Sequence, residues 1–428
     1  MDTGVGAFMV KRVLMVAFHF PPQRGSSGVQ RTLKFAQYLP ANGWQPSILT
    51  AAARAHALIA DDQLKEIAPD LEVRRAFALD TARHLAIKGR YVGWMALPDR
   101  WISWWLGAAP SGLRMIRRLR PAVLWSTYPI ATAHLIGLTL HRISGIPWVA
   151  DMRDPMLDDE YPRGRLARKA AAWIEARTVA SCARLVCTTP GALRTYRARY
   201  PNAPAARFAL IENAYDEDNF RDAETVSVAP RAADAPLVLL HSGIIYPSER
   251  DPRPLFAALA ALLQDGRVAG VKLRVVLRAP VHDEFLRTLI AEHGLAQVVE
   301  VAPPLPYREA LAEMLAADGL LLLQAANCND QIPAKLYEYL RARRPILALT
   351  DSAGDTAQAM RQAGFNSIGP LDDKEGIMAA MTKFLHELSG PLPSDETVRS
   401  HGRSARTAQL AALFDEVVAE QNVGWNRA

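Results

Sequence analysis

Leu320-Leu321-Leu322-Leu323, then Asn329-Asp330-Gln331-Ile332-Pro333-Ala334-Lys335-Leu336-Tyr337-Glu338-Tyr339-Leu340, then Ile346-Leu347-Ala348-Leu349 follow one another along the chain. The two short apolar runs have the length of buried strands, and the segment between them has a helical pattern over 333–342. A strand, a helix and a second strand make a βαβ unit, which commits the sheet to parallel pairing.

Outward from this unit the rhythm repeats. Before it come strand Leu237–Leu240, helix 252–264, strand Leu273–Leu277, helix 283–293, strand Val298–Val301 and helix 307–316. Nearer the start are strand 12–18, loop 19–28 and helix 29–40, the last with Val29, Leu33, Ala36 and Leu39 on one face. Strands at 46–50, 123–125, 148–150 and 184–187 follow, alternating with helical patterns near 131–143 and 163–181. The prediction is α/β, with two doubly wound parallel-sheet domains, which suits 428 residues at about 150 per domain. The stretch 217–236, rich in Ala, Asp, Glu and Pro, lacks periodicity and reads as the interdomain connection. The polar stretch 391–403 reads as turns, and 405–421 as a final helix carrying Leu410, Leu413, Phe414, Val417 and Val418. The expected domains are 1–215 and 216–400, with 401–428 a helix packing back toward the first.

Half of the residues are apolar and 22% are charged, the balance of a globular chain. The net charge of +6 suits anionic partners such as phosphates, but it is dispersed and no nucleic-acid motif accompanies it. Cys182, Cys187 and Cys328 have no metal-ligand or redox spacing, which fits a reducing cytoplasm. The apolar run Val13–Phe18 behind Lys11-Arg12 is cut short by His19 and Pro21-Pro22, so it reads as a strand and not a signal peptide. Nothing reaches the roughly 18 uninterrupted apolar residues of a membrane span.

Doubly wound sheets bind ligands beyond the carboxyl ends of their strands. There Pro333 suits a first helical turn, leaving the amides of 334–336 to face a pyrophosphate beside the Lys335 ammonium. Glu338, one turn on, is placed to accept two ribose hydroxyls; the alternative is a surface ion pair with Lys335 or Arg341. After the first strand, the loop His19 to Gly28 contains Gly25, Ser26 and Gly28 and leads into a helix bearing Arg31; it is either a phosphate or sugar approach or a plain turn. Its spacing is not that of a nicotinamide-binding loop. Asp151, Arg153 and Asp154 follow strand 148–150, where they either meet an anionic acceptor or pair internally. Asp216-Glu217-Asp218 has the form of a metal-binding triplet, but its position favours a solvated acidic turn. Residues 91–106 hold Trp94, Trp101, Trp104 and Trp105, with Arg114, Arg117, Arg118 and Arg120 downstream. They suit either an acidic membrane surface or ordinary core packing beneath a solvated face.

The segment Asp330–Pro345 resembles the donor-site motif of glycosyltransferase family 4, of the GT-B superfamily, in which two acidic residues flank seven others. Asp330 and Glu338 stand at that separation. The resemblance extends to the Gly25/Gly28 loop, Asp151-Met152-Arg153-Asp154-Pro155, Asn213-Ala214-Tyr215-Asp216 and His241-Ser242-Gly243. It implies a GT-B fold, two Rossmann-like domains facing across a cleft, and a retaining transferase that uses a UDP- or GDP-linked sugar.

By that resemblance Glu338 would bind ribose, Asp330 would contact the donor sugar, Lys335 with the neighbouring amides would lie along the diphosphate, and Gln331, Pro333, Ala334 and Leu336 would belong to the donor site. Gly243 would admit the phosphates, Leu305 would hold the base through its main chain, and Gly25 and Gly28 would form the opposite floor. The family commonly has Arg after this glycine and Lys six residues further; here stand Ile244 and Arg250, so Arg250 would carry the phosphate charge. Asp330 replaces the usual Glu. No cofactor or metal is expected, since the leaving phosphate can itself take the acceptor proton while cations stabilise it. The expected acceptor is a glycan or lipid-linked sugar in polysaccharide or glycoconjugate assembly, on the cytoplasmic face with peripheral contact to acidic membrane. A nucleotide-sugar 2-epimerase and a non-catalytic nucleotide-sugar-binding protein are the competing readings.

Overall fold

The computed structural model describes residues 10–24, 27–158, 161–227, 232, 234–265, 272–388, 390 and 392–425. The chain divides into two compact units, Met1–Asn213 together with Arg403–Ala428, and Ala214–Gly402.

The first unit has seven strands: β1 (Lys11–Ala17), β2 (Trp44–Ala51), β3 (Glu72–Ala76), β4 (Val123–Thr127), β5 (Trp148–Arg153), β6 (Arg184–Cys187) and β7 (Phe208–Leu210). All pair in parallel, in the order β3-β2-β1-β4-β5-β6-β7. The order reverses between β1 and β4, which makes that junction the switch point where ligands of doubly wound sheets bind. Alternation along β1 decides which helices cover it. Leu14 and Val16 face the helices Ser103–Leu119, Ala131–Ser144 and Arg165–Ser181, whereas Val13, Met15 and Ala17 face the helices Ser27–Tyr38 and Arg403–Trp425. Phe414 of the last helix is fully buried, its ring 5.2 Å from that of Trp44.

The second unit has six parallel strands, β8 (Leu237–Ser242), β9 (Leu273–Arg278), β10 (Val299–Ala302), β11 (Gly319–Leu323), β12 (Ile346–Leu349) and β13 (Ile368–Gly369), in the order β10-β9-β8-β11-β12-β13. Here the switch lies between β8 and β11. Leu321 and Leu323 pack to one side with Leu347 and Leu349; Leu320 and Leu322 pack to the other against the helices Tyr307–Ala316 and Ala334–Ala342.

Several elements differ from the sequence expectations. Within 217–236, read as an unpatterned connection, residues Glu217–Glu224 form a helix whose Phe220 and Ala223 are buried. Eight residues with two apolar positions are too few to show a period. Asp216-Glu217-Asp218 is neither a metal triplet nor a solvated turn: Asp216 caps this helix by accepting from the Asp218 amide, and Glu217 accepts from Arg341 at 2.7 Å. Asp395–Ser400 is a helix inside the stretch read as turns. The edge strands β3, β7 and β13 escaped notice because an edge is short and, in β3, charged at Glu72, Arg74 and Arg75. Of the four tryptophans in 91–106, Trp104 is fully buried; Trp101 and Trp105 pack on the same core and donate to Ala55 O and Thr139 Oγ1. The core-packing reading therefore holds for those three, and only Trp94 is exposed. No described helix is long and apolar enough to cross a membrane.

Candidate functional site

The switch point of the second unit collects most of the sequence-selected residues. β8 ends at Ser242, and Gly243 follows with φ +112°, a backbone conformation that side chains rarely adopt. A Cβ at Gly243 would stand 3.2 Å from Lys335 Nζ, so the glycine keeps the backbone open beneath the ammonium. His241, completely buried, donates from Nδ1 to Leu321 O at 2.9 Å; Nε2 is thereby the acceptor facing Lys335 Nζ at 3.2 Å. Burial, then the Lys335 charge, holds His241 neutral, well below the usual histidine range. The Ser242 amide donates to Tyr339 Oη at 3.1 Å, tying β8 to the helix that carries Lys335.

Arg250 brings a second cation. Its guanidinium donates to Ile244 O and lies over the Tyr246 ring, 5.5 Å from the centroid, so the loop after β8 is folded around it. Burial first, and Arg250 second, lower Lys335 to about 7, against the opposing influence of Glu338. A lysine and an arginine repelling each other at the ends of two strands form a site that an anion would relieve.

β11 leads into this site through a pinned loop. The Gln324 amide donates to Cys328 O and Gln331 O, Thr356 Oγ1 also donates to Gln331 O, and Asn329 donates to Asp351 at 2.6 Å. Asp330 and the Gln331 side chain are left exposed at its tip. The helix begins at Ala334, and Pro333 is its cap residue with ψ 131°, not its first helical residue. Leu336 N–H donates to Pro333 O, and the Leu336 side chain is buried in the core. Leu336 is therefore not available as a ligand contact, whereas the amides of Ala334 and Lys335 open the helix. Glu338 accepts from Tyr307 Oη at 2.7 Å, and Arg341 is held by Glu217 and Glu224, so of the alternative pairs expected, with Lys335 or with Arg341, the Arg341 one is not formed, while the Glu338 charge acts on Lys335. Tyr307 stands two residues after Leu305, which is partly buried in the loop that follows β10. Nothing in the spacing singled out Tyr307.

In the first unit the outcome is different. Arg31 and Asp151, expected to line an acceptor site, are fully buried and grip each other through two bonds of 2.9 and 2.7 Å. Arg31 also donates to Ile211 O and Glu212 O, and Asp151 accepts from Thr127 Oγ1. The pair ties the helix Ser27–Tyr38 to β5 and to the chain that follows β7. Gly28 is buried in the first turn of its helix, where its carbonyl accepts from Thr32. Gly25 and Ser26 lie outside the described residues. Asp154 is exposed.

Arg153 has φ +56°, at a register shift between β5 and β6, and its guanidinium reaches across to Tyr128 O at 3.4 Å. A non-glycine residue in the left-handed region stores strain, a feature that gathers at functional sites. His19, just beyond β1, is lowered to about 3 by burial and by Arg153 and His56, and His56 to about 4 by burial and Arg75. Phe18 packs between these groups, its ring 4.8 Å from His56 and from Trp101. No spacing in the sequence relates His19 to His56; the ends of β1 and β2 bring them together. Among the described residues no three His, Cys, Asp or Glu side chains are grouped to share a metal ion.

Residues 27–214 match the family described as a glycosyl transferase 4-like domain. The first unit thus carries a glycosyl transferase 4-like domain. The fold agrees throughout the chain. α,α-Trehalose 6-phosphate synthase from Burkholderia multivorans superposes with a TM-score of 0.62 at 12% identity, covering 96% of this chain and 100% of that one. HepE from Anabaena, solved in complex with UDP, gives 0.60 at 11%, covering 98% and 100%. Sucrose-phosphate synthase from Thermosynechococcus elongatus gives 0.59 at 14%, covering 97% and 98%. No curated protein sequence matches. At these identities the likeness carries the fold, and the chemistry rests on the residues at the strand ends.

Proposed function

We propose that this protein is a glycosyltransferase that takes a sugar from a nucleoside diphosphate, with retention at the anomeric carbon, and gives it to a hydroxyl of a glycan or lipid-linked acceptor. The observation that carries the reading is Lys335 standing over the open backbone of Gly243, one helical turn before Glu338, with the Arg250 charge acting on it. The diphosphate lies against the two cations and the amides of Ala334 and Lys335, where a helix start favours negative charge. Glu338, oriented by Tyr307, accepts the ribose hydroxyls, the main chain near Leu305 holds the base, and Asp330 with Gln331 meets the sugar.

The bond from the anomeric carbon to the phosphate oxygen breaks, and its electrons leave with the nucleoside diphosphate. The acceptor oxygen forms its bond on the same face, and its proton passes to the departing phosphate. Lys335 and Arg250 act by stabilising that oxygen as charge grows, the kind of contribution whose removal costs about 100- to 1,000-fold in rate. On the acceptor side, Arg153, with neutral His19 beside it, supplies a buried cation at the ends of β1 and β5. Protein cations meet the phosphate charge in this reading, so transfer and donor hydrolysis should persist in chelator; strict dependence on added Mg or Mn would remove that part of it.

Titration calorimetry with UDP and with GDP tests the site. Glu338→Ala should raise the dissociation constant of the preferred nucleotide by about tenfold, the cost of a charged hydrogen-bond partner. An unchanged constant would take Glu338 out of the site. UDP is the first ligand to try, because HepE was solved with it.

A further inference from the structure

Eight consecutive residues of the first unit, Ile87–Trp94, are exposed. Four of them are large and apolar: Ile87 is 79% exposed and Trp94 68%, with Tyr91 and Val92 also open to solvent. Lone apolar residues on a surface are ordinary, but a contiguous group is not. Its charge is one-sided, since Arg83, Lys88 and Arg90 are basic and no acidic residue occurs between Asp80 and Asp99.

The segment is built to hold its shape. Ile87 and Arg90 exchange backbone bonds of 2.8 and 3.0 Å, and Lys88 and Gly89 both have positive φ, which makes a tight hairpin tip. Met95 N–H donates to Val92 O, and Thr81 fixes the base by donating to Met95 O. Arg83 donates to His56 O at 2.5 Å, joining the segment to residues 56–60, where Leu58 and Ile59 are exposed as well. Those residues in turn bond to the loop after β1, through Arg24 N to Leu58 O and Ala60 N to Pro22 O. A rigid apolar tip therefore stands beside the strand-end loops of this unit.

We infer that the tip Ile87–Trp94, with Leu58 and Ile59, seats the protein on an anionic phospholipid surface. Trp and Tyr suit the headgroup boundary, Ile and Val enter the acyl region, and Lys88 and Arg90 meet lipid phosphates. This moves the membrane contact away from Trp101, Trp104 and Trp105, which are packed inside. It deepens the reading of a lipid-linked acceptor, yet it is measured apart from nucleotide binding, so either can fail alone.

The test is cosedimentation of the full chain with vesicles of phosphatidylcholine containing about one third phosphatidylglycerol, against pure phosphatidylcholine, with UDP calorimetry alongside. The protein should pellet with the anionic vesicles only, and less so as salt is raised. Lys88→Gln with Arg90→Gln should lower the partition coefficient about 30-fold and flatten its salt dependence. Ile87→Ser with Trp94→Ser should lower it at least about tenfold. Both variants should keep the wild-type thermal midpoint and UDP affinity. A blue shift of fluorescence on vesicle addition should vanish in Trp94→Phe. Absence of pelleting, equal pelleting with neutral vesicles, or variants that bind like wild type would overturn the proposal. So would a wild-type dimer that Trp94→Ser dissociates, since the patch would then belong to a second copy.

Discussion

The strand ends of the two units solve opposite electrostatic problems. Beyond β8 and β11, Lys335 stands over a bare glycine backbone with the Arg250 charge acting against it, and the repulsion is left in place. Beyond β1, β4 and β5, charge is cancelled or suppressed: Arg31 and Asp151 close on each other, and His19 and His56 stay neutral among aromatic rings. The first arrangement is incomplete without an anion. In the second, Arg31 and Asp151 satisfy each other, so that pair reports on stability before it reports on binding.

The sharpest way to break this contrast is to remove half of the buried pair. Asp151→Ala leaves Arg31 uncompensated in the core and should cost about 3–5 kcal/mol in urea unfolding. UDP affinity should survive wherever the protein remains folded; a loss of nucleotide binding without a loss of stability would reverse the roles assigned to the two units. Lys335→Met should do the converse, lowering kcat for transfer or donor hydrolysis about 100-fold or more while stability is kept or improved, because a buried cation is replaced by an apolar chain. Tyr307→Phe removes one hydrogen bond to Glu338 and should weaken nucleotide binding by about 1 kcal/mol, read by calorimetry.

Acidity separates the regions further. Lys335 is lowered to about 7 in the free protein, so above that pH an incoming diphosphate must first restore its proton. Nucleotide affinity should therefore fall as pH rises past about 7, with proton uptake visible as a buffer-dependent binding enthalpy, and Lys335→Met should abolish both. In the first unit the folded histidines lie at about 3 and about 4, below the unfolded value of 6.5. The unfolded chain takes protons first as pH drops, so their contribution is intact above 6.5 and erodes toward 4. A urea midpoint that stays level from pH 6.5 to 4 would contradict that burial.

How much of this was legible depended on how far apart the interacting residues are in sequence. The helix Ala334–Ala342 and the strands on either side of it show their periods within a few turns, so Lys335 and Glu338 could be placed on a helix start before any contact was known. Pro333 misled by one residue, since it caps that helix from outside. The Arg31–Asp151 pair joins residues 120 apart, and no local pattern distinguishes a buried guanidinium from one awaiting a ligand. Tyr307 was hidden for the same reason: its partner lies 31 residues on. Trp104 and Trp94 share a segment and a residue type but not a fate, because one is packed in the core and the other lies exposed in the turn Gly93–Ala96.

The helix Arg403–Trp425 belongs to the first unit although the second is threaded before it. On a ribosome this fixes an order of completion. Residues Ala214–Gly402 hold everything the second unit needs, whereas the face of β1 bearing Val13, Met15 and Ala17 lacks part of its cover until Leu410, Phe414 and Val417 emerge. At ordinary elongation speeds that wait lasts roughly 10 to 40 s. By its end the nascent chain has a finished second unit tethered to an unsealed first one. A premature stop that deletes the last helix would yield that same species permanently, with the proposed donor site intact and prone to aggregate through its open first sheet.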